Sequence, residues 1–180
     1  ETVIAELKAM FGVRCSTGAA LRDQHGRGEA YPEGAPPDAV VWPESTSEVS
    51  ATLRLCHAHG VPVIAFGAGT SLEGHVSAPY GGISLDMSKM NRVLHVHAED
   101  LDVVVQPGIS REDLNSWLRD TGLFFPIDPG ANASIGGMIS TRATGTTTVL
   151  YGSIEKNILA LEVVMADGRV IRCGSRARKT

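Results

Sequence analysis

The chain has little cysteine, no excess of positive charge and no long apolar run. Its three cysteines, Cys15, Cys56 and Cys173, are odd in number, widely separated and without C-x-x-C spacing. That argues against a disulfide framework or a zinc knuckle and makes a reducing compartment the default. With 16 Lys and Arg against 20 Asp and Glu, the net charge is −4, which gives no electrostatic reason to expect a nucleic-acid partner. Local basic character is confined to Arg169, Arg172, Arg176, Arg178 and Lys179, which read as a solvated tail. No segment approaches the roughly 20 consecutive apolar residues of a membrane-spanning helix, and the N-terminus lacks a basic-then-apolar leader pattern. Glu1 stands where a Met is usual, so the chain is expected to be processed, trimmed or part of something longer.

What is present suits one domain or slightly more: 43% apolar and 20% charged residues over 180 positions. Val3, Ile4, Leu7, Met10 and Phe11 recur at helical spacing and predict a short amphipathic helix that Gly12 ends. From Ser16 to Asp38 the sequence is polar and rich in Pro and Gly, and reads as a connector arm. Ala39–Trp42 reads as a strand, Ser45–His59 as a helix capped by Thr46 or Ser47, and Val61–Ala65 as a second strand parallel to the first. Further strands are expected at 82–86, 93–97 and 101–106, a helix after Ser110, a short helix after Ser134, and a hairpin formed by 157–165 and 169–173.

Two glycine-rich stretches carry the chemistry. Phe66-Gly-Ala-Gly-Thr-Ser71 leaves the carboxyl end of a strand, where open α/β sheets bind ligands, and its glycines let backbone N–H groups approach a phosphate. Asp128-Pro-Gly-Ala-Asn-Ala-Ser-Ile-Gly-Gly-Met138 lies about sixty residues on. The helix start at Ser134 is expected to offer free N–H groups and partial positive charge as a second anion seat. Two cradles suit a long ligand with a diphosphate in its middle.

These stretches, with Pro43–Val49, Val105–Gly108, Phe125–Gly130, Tyr151-Gly152 and Leu161–Gly168, occur in an order that resembles FAD-linked oxidases of the vanillyl-alcohol-oxidase type. Within them the chain is most similar to the D-lactate dehydrogenase and glycolate oxidase branch. The resemblance runs from about Pro37 to the end. It implies an α+β fold of PCMH type, with a small parallel βαβ subdomain and a larger mixed or antiparallel sheet with flanking helices. Residues 1–36 are then an N-terminal helix and connector arm, and 37–180 an FAD-binding domain expected to be incomplete at its C-terminus.

By this resemblance, Phe66, Gly67, Ala68, Gly69, Thr70 and Ser71 wrap the FAD diphosphate, and Pro129, Gly130, Ala133, Ser134, Gly136 and Gly137 pack along flavin and diphosphate. Thr141, Ala143, Thr144, Gly145 and Thr146 also approach the cofactor, and Val163 lies in the strand at its adenine end. The glycine loop has no His before Ser71, so FAD is expected to be held non-covalently. The family further implies a small 2-hydroxy-acid substrate, a cap domain carrying the metal- and substrate-binding groups, and either a bacterial cytoplasmic location near the membrane or a mitochondrial one. A fragment without catalysis, or a relative such as a cell-wall-precursor reductase, is the alternative.

No residue is assigned as catalytic base, and no metal site is expected. His95 and His97 share a strand face that reads as solvent-exposed, and His57 and His59 read as surface. His75 is placed near the phosphates as a hydrogen-bond donor, and Glu73 is expected to pin the loop. Arg111 and Arg142 read as solvated or in surface ion pairs, and Trp42 and Trp117 as core.

Overall fold

The structure, a computed structural model, describes residues 2–28 and 34–177. Helix α1, Thr2–Phe11, buries Val3, Leu7 and Phe11, one residue per turn. After a tight turn at Gly12, strand β1, Cys15–Ser16, runs antiparallel to β2, Ala39–Val41. Between them lies helix α2, Ala19–His25, inside the segment that reads as a featureless arm.

Strand β2 leads into helix α3, Thr46–Ala58, and then strand β3, Val63–Phe66. The α3 cap is Ser45, one residue before the two expected, with its side chain accepting from the Glu48 amide. Strands β2 and β3 run the same way, but β4, Ile83–Asp86, inserts between them, giving the order β1-β2-β4-β3. On one face Ala39, Val41, Ile83 and Leu85 pack with Val3, Leu7, Phe11, Val49 and Cys56 to form the first core. The alternate residues of β4, Ser84 and Asp86, turn to the other face.

The second half is built on two hairpins and two helices. Strands β5, Val93–His97, and β6, Asp102–Val105, pair antiparallel across a turn in which Leu101 is left-handed. Helix α4, Arg111–Leu118, starts at Ser110, whose hydroxyl caps the Asp113 amide; helix α5, Ile135–Ser140, starts at Ser134. Leu114, Leu118, Ile127, Ile135, Met138 and Ile154 form the second core, against which Val93, Val96, Val103 and Val105 pack. Trp117 falls beside this stripe and is 56% exposed, so it is not a core residue.

A short helix α6, Thr148–Tyr151, precedes the last hairpin, β7, Ala160–Val164, and β8, Val170–Gly174. This hairpin docks on α3: Ser50 donates to the Gly168 carbonyl at 2.6 Å and Thr46 to Glu162 at 2.8 Å. The fold is α+β as expected, with the second sheet present as two separate hairpins among the described residues.

Candidate functional site

The two glycine stretches meet. A Cβ placed on Gly67 would collide with the Ser134 hydroxyl and turn it away from the Gly137 amide that it caps, so glycine lets the first loop rest on the start of α5 with its cap intact. Gly136 is equally tight, with a Cβ there 2.6 Å from Pro107. The Gly67 contact joins the two halves of the molecule, and the Gly136 contact closes α5 onto the end of β6, both beside an open trough of about 2790 Å³. Every expected contact residue lines this trough except Thr144, Gly145 and Thr146.

Those three stand behind it. Asp128 accepts from the Thr146 hydroxyl at 2.7 Å, from the Thr147 amide at 3.0 Å and from the Thr147 hydroxyl at 2.6 Å. The Thr147 hydroxyl comes first among the causes that hold the Asp128 carboxyl down at about 2, followed by Thr146. Gly145 packs directly on Asp128, where a side chain has no room. The 144–147 segment is thus fastened through Asp128 to Pro129 and Gly130, which line the trough.

The glycine loop has the properties of an anion cradle. It leaves β3 at Phe66 and turns at Gly69, which has φ +72°. Among the described residues, none of the amides of Gly67, Ala68, Gly69, Thr70 and Ser71 has a hydrogen-bond partner. Five free donors in a row beside a cavity are a ready binding surface for oxygen atoms carrying negative charge. The amides of Gly130 and Ala131 on the opposite stretch are also free.

The start of α5 differs from expectation. Its first three amides are already engaged: Ile135 donates to the Ile109 carbonyl at 2.8 Å, Gly136 to the Pro107 carbonyl at 2.8 Å, and Gly137 to the Ser134 hydroxyl at 3.3 Å. The helix end therefore has no free N–H at these positions with which to seat an anion, and its role at the trough is close packing.

His75 is half-exposed, and its Nδ1 is hydrogen-bonded to the Ser71 hydroxyl, with Glu73 3.8 Å from its other nitrogen. The pair draws the loop's far end together. His95 and His97 stack 6.0 Å apart, and His97 bonds Asp102 at 2.7 Å. Among the described residues no three His, Cys, Asp or Glu side chains are grouped as a metal would need. Arg142 forms an exposed pair with Glu155 at 2.6 Å, whereas Arg111 is partly buried and its Nε has no partner.

The basic tail is also paired. Arg169 bonds Asp167, Arg172 bonds Glu162, and Arg176 bonds Asp100 and Asp102, tying the end of β8 to the β5–β6 turn. Arg178 and Lys179 lie outside the described residues. One cluster escaped the sequence reading: His25, Trp42 and Asp86 converge behind the glycine loop.

Residues 37–174 match the FAD binding domain family. The chain belongs to that family. The trough fits such a cofactor, since free amides, glycines that admit no side chain and an apolar-walled cavity stand together in one place, and FAD is the cofactor of this domain.

Among curated relatives, the chain is 49% identical over its whole length to a probable mitochondrial D-lactate dehydrogenase of Danio rerio, of which it covers 37%. It is 44% identical over 99% of its length to the mitochondrial D-lactate dehydrogenase [cytochrome] of Arabidopsis thaliana, covering 32%. Glycolate oxidase subunit GlcD of Bacillus subtilis is 37% identical over 79% of the chain, which covers 31% of it. The chain thus spans about a third of the length of these relatives.

Among solved structures, an alkyldihydroxyacetonephosphate synthase superposes with a TM-score of 0.88 at 26% identity, over 97% of this chain and 38% of its own. The 4-ethylphenol oxidase of Gulosibacter chungangensis gives 0.80 at 28%, over 95% of this chain and 34% of its own. The fold is that of the vanillyl-alcohol-oxidase-type flavoproteins.

Proposed function

We propose that this chain is the FAD-binding portion of an FAD-dependent dehydrogenase acting on a small 2-hydroxy acid of the D-lactate type, and that it holds FAD without a covalent bond. Residues 37–180 form the binding domain in this reading, and residues 1–36 an arm that braces it. The observation that carries it is the run of unpartnered amides from Gly67 to Ser71, packed against Ser134 at the trough. The chain's strong likeness to D-lactate dehydrogenases supports the substrate class.

Each part of the site has a task. The Gly67–Ser71 amides donate to the diphosphate oxygens, and Gly130 and Ala131 donate from the facing wall. Pro129, Ala133, Gly136 and Gly137 give a close-packed side without projecting chains, so a flat ring can lie along it. Asp128 keeps Thr144–Thr147 behind that wall, and Val163 faces the trough from β7. Bound FAD supplies the acceptor for the hydride on the substrate's α-carbon. Orientation and exclusion of water are the chain's own contribution, and the groups that bind the substrate and take its hydroxyl proton are assigned to residues of the whole protein beyond these. The D-lactate dehydrogenases of Danio rerio and Arabidopsis thaliana are mitochondrial, which supports a mitochondrial site of action.

The test is reconstitution. Protein mixed with FAD and then desalted should stay yellow, while Gly69→Val should emerge colourless. Oxidation of D-lactate with bleaching of the flavin, measured on the whole protein alongside glycolate and other 2-hydroxy acids, tests the substrate class. No bleaching with any of them would refute it.

A further inference from the structure

Behind the glycine loop, away from the trough, lies a buried polar cluster that the binding role does not use. His25, the last residue of α2, is 3% exposed, and Asp86, the last residue of β4, is 6% exposed. The His25 Nδ1 is 2.8 Å from the Leu21 carbonyl and its Nε2 is 2.8 Å from Asp86 Oδ2. The same oxygen accepts from the Trp42 indole at 2.8 Å, and Asp86 Oδ1 accepts from the Ser88 amide at 2.8 Å.

The partners decide the protonation state. A backbone carbonyl only accepts, so Nδ1 carries a hydrogen. Asp86 receives two N–H donors that can do nothing but donate, which favours the carboxylate, so Nε2 carries a hydrogen as well. Both nitrogens protonated means an imidazolium, charge-paired inside the protein. Burial opposes the charge on His25, but the Asp86 and Leu21 acceptors outweigh it and hold the imidazole above its usual pKa. Burial likewise opposes the carboxylate, yet the bonds from His25 and Ser88 hold Asp86 below its usual range.

This pair reaches the loop through one side chain. Phe66 pairs in register with Asp86, and its ring centroid lies 4.3 Å from that of His25. On the loop side, the Phe66 ring lies under Gly69, where a Cβ would come within 2.9 Å of its Cζ. His25, Phe66 and the left-handed turn at Gly69 thus form a stack from the buried charge to the free amides. The two rings are tilted by 41°, so the contact is close packing of the imidazole against the Phe66 ring. Nearby, a Cβ on Gly28 would lie 3.2 Å from the Ser71 carbonyl, so the segment after α2 also presses on the loop.

We infer that His25, as an imidazolium paired with Asp86, is a positioning residue that sets the glycine loop through Phe66, so that the protonation of a side chain outside the trough controls how well the trough holds its ligand. This rests on the reading of Gly67–Ser71 as the diphosphate cradle. Deprotonation of His25 removes the hydrogen from one of its two acceptors, turning a lone pair toward either Asp86 or Leu21, and the stack beneath Gly69 loosens. The imidazolium is retained below the usual histidine range and is lost as pH rises through the elevated value. Among the described residues, Asp86 is the charged side chain that acts on the ring. Asp86 comes from β4, and Phe66 from β3 and Trp42 after β2 are neutral. On α2 itself Arg22 bonds the Pro37 carbonyl and Asp23 pairs with Arg27; in the loop His75 and Glu73 face each other and Ser71.

The test follows the loop amides without any ligand. In the full chain carrying His75→Gln, which silences the imidazole inside the loop, proton–nitrogen spectra are recorded across pH with the His25 ring signal. The Gly67–Ser71 amides should move with the midpoint of His25, above the usual histidine range, and that movement should vanish when His25→Gln is added. Loop amides that ignore both the His25 titration and His25→Gln overturn the inference. His25→Gln that remains folded should also bind FAD roughly tenfold more weakly, as when a supporting partner behind a ligand site is lost, and should lack the fall in FAD affinity at alkaline pH that is expected of its parent. Amides that track His25 in a chain that takes up no FAD would instead refute the cofactor reading and leave the coupling standing.

Discussion

Replacing Gly69 by Val tests the cradle at its turn. Gly69 sits at φ +72° with the Phe66 ring beneath it. A left-handed backbone costs an ordinary residue about 1–2 kcal/mol, and a β-branched one resists it further. A Cβ 2.9 Å from Phe66 Cζ is too close, and relieving such crowding costs about 1–3 kcal/mol. Together these make about 2–5 kcal/mol, and the loop can shed that cost only by leaving the conformation that holds its unpartnered amides beside the trough. At about 1.4 kcal/mol per tenfold, FAD affinity falls roughly 30-fold or more. Flavin fluorescence titration measures the affinity, and thermal unfolding followed by circular dichroism checks that the domain persists. Because the loop lies at the trough rather than within either core, the unfolding midpoint should change little. A Gly69→Val protein that binds FAD with parental affinity would refute the placement of the loop. Gly60→Ala is the matched control, a left-handed position (φ +62°) outside the trough with nothing within 4 Å of the added Cβ, and should bind FAD nearly as the parent does.

Other consequences follow from single contacts. Ser134→Ala removes the α5 cap and the group on which Gly67 rests; the cap alone is worth about 1 kcal/mol, so chemical denaturation should show that loss together with weaker FAD binding. The folded Asp128 carboxyl, held at about 2, lies below the usual carboxylate value. Its contribution is therefore present above the ordinary range near pH 4 and lost as pH falls through that lower value. Amide signals of Thr146 and Thr147 should shift over that acid window, and Asp128→Ala should show the shifted spectrum already at neutral pH. Thiol labelling of the native chain should modify Cys173 quickly, while buried Cys15 and Cys56, the latter pushed up to about 11 by burial, react only on unfolding. Rapid labelling of Cys56 in the native state would contradict the first core as described.

The glycine loop was legible in the sequence because its cause is local: a strand must end at Phe66, and Gly69 and Gly74 take positive φ that other residues resist. The caps at Ser110 and Ser134 were legible for the same reason. Helix α2 was not, because its one fully buried side chain is His25, a polar residue that adds nothing to a hydrophobic period. The closed start of α5 was equally hidden, since the carbonyls that occupy it belong to Pro107 and Ile109 in another segment. Trp117 misled by type: Leu114 and Leu118 define the buried stripe of α4, and Trp117 lies to one side. The insertion of β4 between β2 and β3 depends on long-range pairing that no local pattern encodes.

The most direct measurement is a visible absorption titration of the purified chain with FAD, repeated after desalting and compared with Gly69→Val. The account predicts a saturable, retained flavin spectrum, released on denaturation without a covalent remnant, and its loss in the variant. A parent chain that emerges colourless, or a variant that retains flavin equally well, would contradict the claim that the Gly67–Ser71 amides hold the cofactor.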